Sequence, residues 1–380
     1  MNLAVRDMRH NVLRFALTAL GLGLLLGIVV AMMGIYEGAL DDALRLPRAF
    51  GADLWVVQPQ TKGPFAEPSR FPHDERDLVQ RIPGVAAAGS ITFQSVQALA
   101  HGAPVRLFIV GYEPGRIGGP PKVASGHGIT KSHYQIVADT SSGLQVGEQL
   151  PLGPYHDPYT VVGVTQGMVN SAGDPIAWVT LLDAQSLQFS VRPALQRREK
   201  AAGRARLVTQ DINAVLVRVL PAVRRATVAQ EIERWKHLSA VTQEQQEGFL
   251  TKFVIEKMLR QLGMFMGILI ATSAVIIALI VYTLTMDKLR SIATLKLVGA
   301  PDRAIIGLIV QQALVLGVSG FVLGVALTAA FKGYFPRRVL MVPSDIAVLF
   351  VIVVLICLLA SGLSVRAAVK VDPATALVSG

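Results

Sequence analysis

The sequence predicts a helical membrane protein with four transmembrane helices and a large α+β domain between the first and second of them. Three observations carry this. Hydrophobic residues make up 52% of the 380 residues and charged residues 16%, against about 25% charged in soluble domains. Four windows free of Asp, Glu, Lys and Arg have the length of a bilayer span: Phe15–Tyr36, Gly263–Thr285, Ala304–Phe331 and Ile346–Val365. A span needs about 20 apolar residues, because each rises about 1.5 Å through a hydrocarbon core of about 30 Å. The segment Glu37–Leu262 instead mixes ordinary charge with short β-branched runs, the pattern of a domain in water. A mean hydropathy of +0.48 excludes intrinsic disorder. A single cysteine excludes a disulfide scaffold.

The first window follows a basic start, Met1–Arg14. Its apolar stretch is longer than a signal-peptide core of about 7–15 residues and no small-x-small cleavage site follows, so it reads as an uncleaved anchor. Orientation follows from Lys and Arg in the short flanks. With the N-terminus inside, Arg6, Arg9, Arg14, Lys288, Arg290, Lys296, Arg303, Arg366 and Lys370 lie on the inner side. Only Lys332, Arg337 and Arg338 lie in the short outer loop, so both termini are expected inside. The layout is then an inner segment 1–14, span 15–36, external domain 37–262, span 263–285, inner loop 286–303, span 304–331, outer loop 332–345, span 346–365 and inner tail 366–380.

Within the external segment, Asp53–Gln58, Val105–Tyr112, Tyr159–Thr165, Ile176–Leu182 and Ile212–Leu220 read as strands, separated by turn signals such as Pro83-Gly84 and Gly153-Pro154. Asp74–Arg81 and Asp183–Phe189 read as short helices, and the basic stretch Arg192–Arg206 as an exposed loop. Val223–Leu262 reads as one long helix, with Val228, Ile232 and Trp235 at helical spacing. It runs into the second span, and Glu37–Leu46 extends the first, so the two would form a stalk for the external domain.

Chemical motifs are missing in an informative way. No G-x-x-x-x-G-K-[ST] phosphate loop and no H-E-x-x-H occurs. His127 and His133 are separated by five residues without a supporting set of ligands, so no metal site is expected. The lone Cys357 lies inside the fourth window, as a small apolar packing residue. The windows carry no ionisable groups of the kind ion-coupled carriers place mid-membrane. Gln311 and Gln312 in the third window are placed to face a partner helix. The spacings Gly23/Gly27, Gly263/Gly267 and Gly320/Gly324 permit close helix packing.

The inner loop Met286–Arg303 is the most informative stretch. Leu289, Ile292 and Leu295 recur every third residue, with Lys288, Arg290 and Lys296 on the other side. This is a short amphipathic helix, capped by Gly299 and followed by Pro301 in the first turn of the next helix. Such a helix suits an anionic lipid surface or a cytoplasmic partner. Its residues Arg290, Ile292, Leu295, Lys296, Gly299 and Ala300 match the inner-loop pattern R-E-I-G-x-L-[RK]-A-x-G-A of a known family, whereas Ser291, Ala293 and Leu297 depart from it. With the order of one helix, a large domain and three helices, the chain resembles the FtsX/MacB/LolC-LolE superfamily, the type VII ABC transporter permeases. Its wording is similar to DevC-like members. The tail Pro373-Ala-Thr-Ala-Leu377 resembles the closing P-x-x-A-L of that family. Gly51–Val57, Gly143–Glu148 and Tyr159–Val164 resemble stretches of a MacB-like periplasmic core domain.

The resemblance implies a bacterial inner-membrane permease with a periplasmic domain and cytoplasmic termini. It implies a homodimer or paired permease and two separate ATPase subunits that carry ATP and Mg, while this chain binds no cofactor and is not itself catalytic. It leaves room for an HlyD/MacA-type adaptor and implies contact with membrane lipid but not nucleic acid. Closure of the ATPases would push on the inner-loop helix and move the external domain, exporting or extracting an amphipathic or lipid-like cargo. The alternatives are an FtsX-like regulator of a cell-wall hydrolase and a membrane-anchored sensor or scaffold. The net charge of +10 fits this layout, since much of it flanks the spans on the inner side rather than forming a nucleic-acid surface.

Overall fold

A computed structural model describes residues 12–67, 69–154, 156–188, 211–235, 238–288, 294, 301–335 and 337–369. The chain divides into two compact units, residues 1–38 with 258–380, and residues 39–257. In chain order the elements begin with α1 (Val12–Ala49), β1 (Leu54–Val57), β2 (Phe71–Pro72), α2 (Glu75–Gln80), β3 (Val85–Ala100), β4 (Ala103–Tyr112) and β5 (Ser125–Gly126). Next come β6 (Gln135–Asp139), β7 (Gln149–Leu152), β8 (Asp157–Thr165), β9 (Ile176–Thr180), α3 (Leu181–Gln188), β10 (Asp211–Ile212), β11 (Ala214–Val219), α4 (Arg225–Glu233) and β12 (Ser239–Thr242). The chain continues with α5 (Gln243–Phe249), α6 (Glu256–Met286), α7 (Asp302–Phe331) and α8 (Pro343–Val369).

The first unit is helical. α1, α6, α7 and α8 each contain a window long and apolar enough to cross a membrane. Their shared core is built from Leu22, Leu26 and Val29 of α1, Ile277 and Val281 of α6, Ile309 and Leu316 of α7, and Val353 and Cys357 of α8. The opposite faces stay apolar and uncovered: Leu13, Leu17, Leu20, Leu24 and Ile28 form an exposed stripe on α1. A stripe of that kind suits lipid rather than water. Hydroxyls in the spans turn back to their own helix, as Ser273 donates to the Leu269 carbonyl at 2.7 Å and Thr285 to Val281 at 2.7 Å.

The second unit is built on one mixed sheet with strand order β12-β1-β11-β3-β4-β9-β6-β8-β5, and β7 pairs with β8 outside that path. β4 pairs β9 and β6 pairs β8 in parallel, and the other pairs are antiparallel. Alternation places successive residues of β1 on opposite faces. Trp55 and Val57 join one core with Ile91, Val110 and Trp178, and Leu54 and Val56 join the other with Val215, Val217, Val228 and Ile232. The β3–β4 hairpin closes through His101-Gly102, with φ of +51° and +76°, the backbone of a two-residue turn that matches strand twist. Arg48 near the end of α1 grips Glu247 of α5 with both ends of its guanidinium, at 2.7 and 3.1 Å.

The long helix expected over Val223–Leu262 is not continuous. α4 ends at Glu233, and Ser239–Thr242 forms β12, which pairs with β1. Burying Ala240 and Val241 on the sheet outweighs helix continuation. α5 then starts at a capping box: the Thr242 hydroxyl accepts from the Gln245 amide at 3.2 Å and the Gln245 side chain accepts from the Thr242 amide at 2.9 Å. A π-helical turn, Leu250–Ile255, joins α5 to α6. Two expected strands also shift. The one over Ile176–Leu182 ends at Thr180, where α3 begins, and the one over Ile212–Leu220 is interrupted at Asn213. Arg192–Arg206 lies outside the described residues.

Candidate functional site

Arg290, Ile292, Leu295, Lys296, Gly299 and Ala300, expected in the coupling loop between the second and third spans, lie outside the described residues. Their flanks are described. After α6, the Lys288 amide donates to the Thr285 carbonyl at 3.1 Å, and Lys288 Nζ donates to Gln312 Oε1 on α7 at 3.2 Å. Pro301 is extended, at φ −68° and ψ 145°, and caps α7 rather than lying within its first turn. The Gln312 side chain therefore meets the chain leaving α6.

The glycines divide into two groups. Gly23 and Gly27 of α1 face Gly320 and Gly324 of α7. A Cβ on Gly324 would stand 2.8 Å from the Gly27 nitrogen and 2.9 Å from the Gly23 carbonyl, and one on Gly27 would stand 3.3 Å from the Gly324 carbonyl. The two backbones thus meet without intervening side chains, as small residues allow. The Thr328 hydroxyl lies 2.9 Å from both the Gly27 and Gly324 carbonyls and bridges the helices. Gly263 and Gly267 differ: a Cβ on either would meet nothing within 4 Å, so among the described residues neither packs against another helix.

A further pair of small residues lies on α1. Gly34 and Gly38, one turn apart on α1, receive the loop between α7 and α8. The Leu340 amide donates to the Gly34 carbonyl at 2.9 Å. A Cβ on Gly34 would strike Val339, and one on Gly38 would strike the Arg338 carbonyl. The α7–α8 loop is therefore fastened to α1 by backbone contact.

The α+β unit holds a cavity of about 430 Å³, lined among others by Tyr112, Glu113, Lys131, Leu181 and Leu182. None of these was marked by sequence, because their partners come from distant segments. Glu113 accepts from His73 Nε2 at 3.1 Å and from the Ser90 amide at 3.2 Å, and pairs with Arg76 Nη2 at 3.2 Å. Burial opposes its charge, but these donors and the Arg76 guanidinium hold its carboxyl below the ordinary range. Burial pushes the Tyr112 phenol up, so its hydroxyl stays neutral. Among the described residues no cluster of His, Cys, Asp and Glu has the makings of a metal site. His133 instead lies 2.7 Å from Asp183 Oδ1, and His127 Nδ1 lies 2.7 Å from the Gly128 carbonyl oxygen.

Comparison with known proteins accounts for both units. Residues 15–235 match the MacB-like periplasmic core domain, and residues 263–373 match the FtsX-like permease C-terminal domain. An uncharacterised ABC transporter permease of Mycobacterium tuberculosis is 24% identical over 373 residues, 98% of each chain. The macrolide export ATP-binding/permease protein MacB of Rhodospirillum rubrum is 27% identical over 187 residues, 44% of this chain and 28% of that longer protein. The crystal structure of the periplasmic region of MacB from Actinobacillus actinomycetemcomitans aligns with 54% of this chain and 95% of its own, at 10% identity and a TM-score of 0.35. The chain belongs to the MacB/FtsX family of ABC transporter permeases.

Proposed function

We propose that this chain is the membrane subunit of a bacterial inner-membrane ABC transporter whose ATP is hydrolysed by two separate ATPase subunits. One observation carries the reading. A MacB-like core and an FtsX-like C-terminal region follow each other in a sequence with no phosphate loop. Both termini are cytoplasmic and the α+β unit is periplasmic. Two copies, or this chain and a paired permease, form the membrane part. ATPase closure is delivered at Arg290, Ile292, Leu295, Lys296, Gly299 and Ala300. The seam between α1 and α7 supports this, because backbones in direct contact move as one body. The movement reaches the periplasmic unit, which acts on an amphipathic cargo with or without an HlyD/MacA-type adaptor. The relative named for macrolide export supports a cargo with an apolar body.

The test is purification of the tagged full chain from membranes together with ABC ATPase subunits. Vanadate-sensitive hydrolysis is then measured after reconstitution. An ATPase is expected to copurify with the native chain and to be lost with Leu295→Asp. Absence of any ATPase, or its full retention by the variant, would overturn the reading.

A further inference from the structure

We propose that the cavity of the α+β unit is a binding site for an amphipathic organic anion, with Lys131 meeting the anionic group and Tyr112, Leu181 and Leu182 the apolar body. The inference stands on that unit alone, whether or not the chain couples to an ATPase. Size comes first: about 430 Å³ falls in the range of small-molecule sites, roughly 300–1,000 Å³. Leu182 at the wall is 50% exposed, an apolar surface left uncovered beside polar groups.

The walls are held in advance. Residues 130–134 are exposed, yet buried polar groups fix their course. The Gln135 side-chain Oε1 accepts from the Thr130 and Lys131 backbone amides, each at 2.8 Å. Thr180 Oγ1 donates to the Ser132 carbonyl at 2.9 Å, and Asp183 Oδ2 accepts from the Tyr134 amide at 2.9 Å. Gln135, Thr180 and Asp183 are all buried, and Tyr134 is held at φ +61°, a conformation that costs a non-glycine residue energy. Core hydrogen bonds thus shape a surface loop that adds little to the core itself. Elsewhere on the wall, His73, Arg76 and the Ser90 amide fix Glu113. Prior ordering of this kind lowers the cost of binding.

Charge selects the class. The lining carries three ionisable side chains besides Tyr112: His73, Glu113 and Lys131. Glu113 is already paired with Arg76 and hydrogen-bonded to His73, with Arg116 Nε at 3.7 Å. Lys131 forms no ion pair among the described residues. Among the described residues the cavity therefore presents Lys131 as an uncompensated cation beside an apolar wall, complementary to a carboxylate, sulfonate or phosphate ester on an apolar body.

The experiment uses the full chain in zwitterionic-lipid nanodiscs and radiolabelled 4-phenylbutyrate in equilibrium dialysis, with empty nanodiscs as background. 4-Phenylbutylamine is the charge-reversed probe. Saturable binding of one 4-phenylbutyrate per chain is expected, weakened about tenfold or more by Lys131→Glu and little changed by Lys131→Arg. The amine is expected to show no saturable binding. A second readout does not depend on Lys131: 4-phenylbutyrate should slow maleimide labelling of Leu182→Cys, since the native Cys357 is buried in the helical unit. The proposal is overturned if uptake does not exceed that of empty nanodiscs, if the amine binds as well as the acid, or if Leu182→Cys is labelled at the same rate with and without the probe.

Discussion

Gly324→Ala is the most direct probe of how the helices are joined. The added methyl would sit 2.8 Å from the Gly27 nitrogen, 2.9 Å from the Gly23 carbonyl and 3.1 Å from the Leu26 carbonyl carbon. All three are backbone atoms of α1, so no side-chain rotation relieves the overlap and the helices must separate. Forcing an extra methyl into a packed contact costs about 1–3 kcal/mol. Separation also stretches the Thr328 bridge to Gly27, 2.9 Å in the native chain and of a kind averaging about 0.6 kcal/mol in membranes. The expected loss is about 2 kcal/mol. Gly267→Ala supplies the control, because a Cβ there meets nothing and alanine favours helix. Unfolding of both variants by increasing SDS fraction in mixed micelles, followed by circular dichroism, gives the comparison. Gly324→Ala should unfold at a clearly lower SDS fraction than the native chain, and Gly267→Ala at the same or a higher one. Equal midpoints for the two variants would refute the reasoning.

Three further outcomes follow from the geometry. Gly38→Ala should detach the α7–α8 loop from α1, seen as faster hydrogen exchange at Leu340, whose amide is bonded to Gly34 in the native chain. Asn213→Ala should destabilise the α+β unit by about 3 kcal/mol in denaturant titrations, since unmet buried partners cost about 1–3 kcal/mol each; Asn213 Oδ1 accepts from Thr92 Oγ1 at 2.7 Å and the Phe93 amide at 2.8 Å, and its Nδ2 donates to the Ser69 carbonyl at 2.8 Å. Glu113 has its carboxyl lowered on folding, so its stabilisation is complete above the ordinary value of 4.5 and is lost as pH falls through the lowered one. Thermal melts should show Glu113→Gln to be less stable than the native chain near neutral pH and less sensitive to acid below about pH 4.5.

The membrane part was legible because the bilayer dictates it: uninterrupted apolar length has few other uses, and the windows coincide with α1, α6, α7 and α8. β1, β4, β8 and β9 were legible from β-branched runs. β3 was not, although it is the longest strand, because its Ala-Ala-Ala-Gly-Ser start has low strand propensity and only pairing with β4 and β11 fixes it. β12 was masked by the helical spacing before it, yet the Thr242-x-x-Gln245 pattern marked the true start of α5. The facing glycines were visible as spacings, but which pair met which helix was not. Gly263/Gly267 and Gly320/Gly324 have the same spacing and different surroundings. The cavity around Glu113 left no local trace, because His73, Ser90 and Ser132 reach it only through the completed sheet.

The position of β1 in the sheet sets an order of assembly. Leu54–Val57 is completely buried, and its partners on both sides, β11 and β12, come from the far end of the unit: Leu54 pairs with Val217 and with Thr242. At synthesis rates of about 5–20 residues per second, this four-residue apolar segment waits roughly ten to thirty seconds for either neighbour to exist. A chain truncated before Ala214 would never supply one. The earliest strand made is thus among the last to find its partners, and the newborn chain carries Leu-Trp-Val-Val as an unpaired, aggregation-prone edge until its synthesis is well advanced.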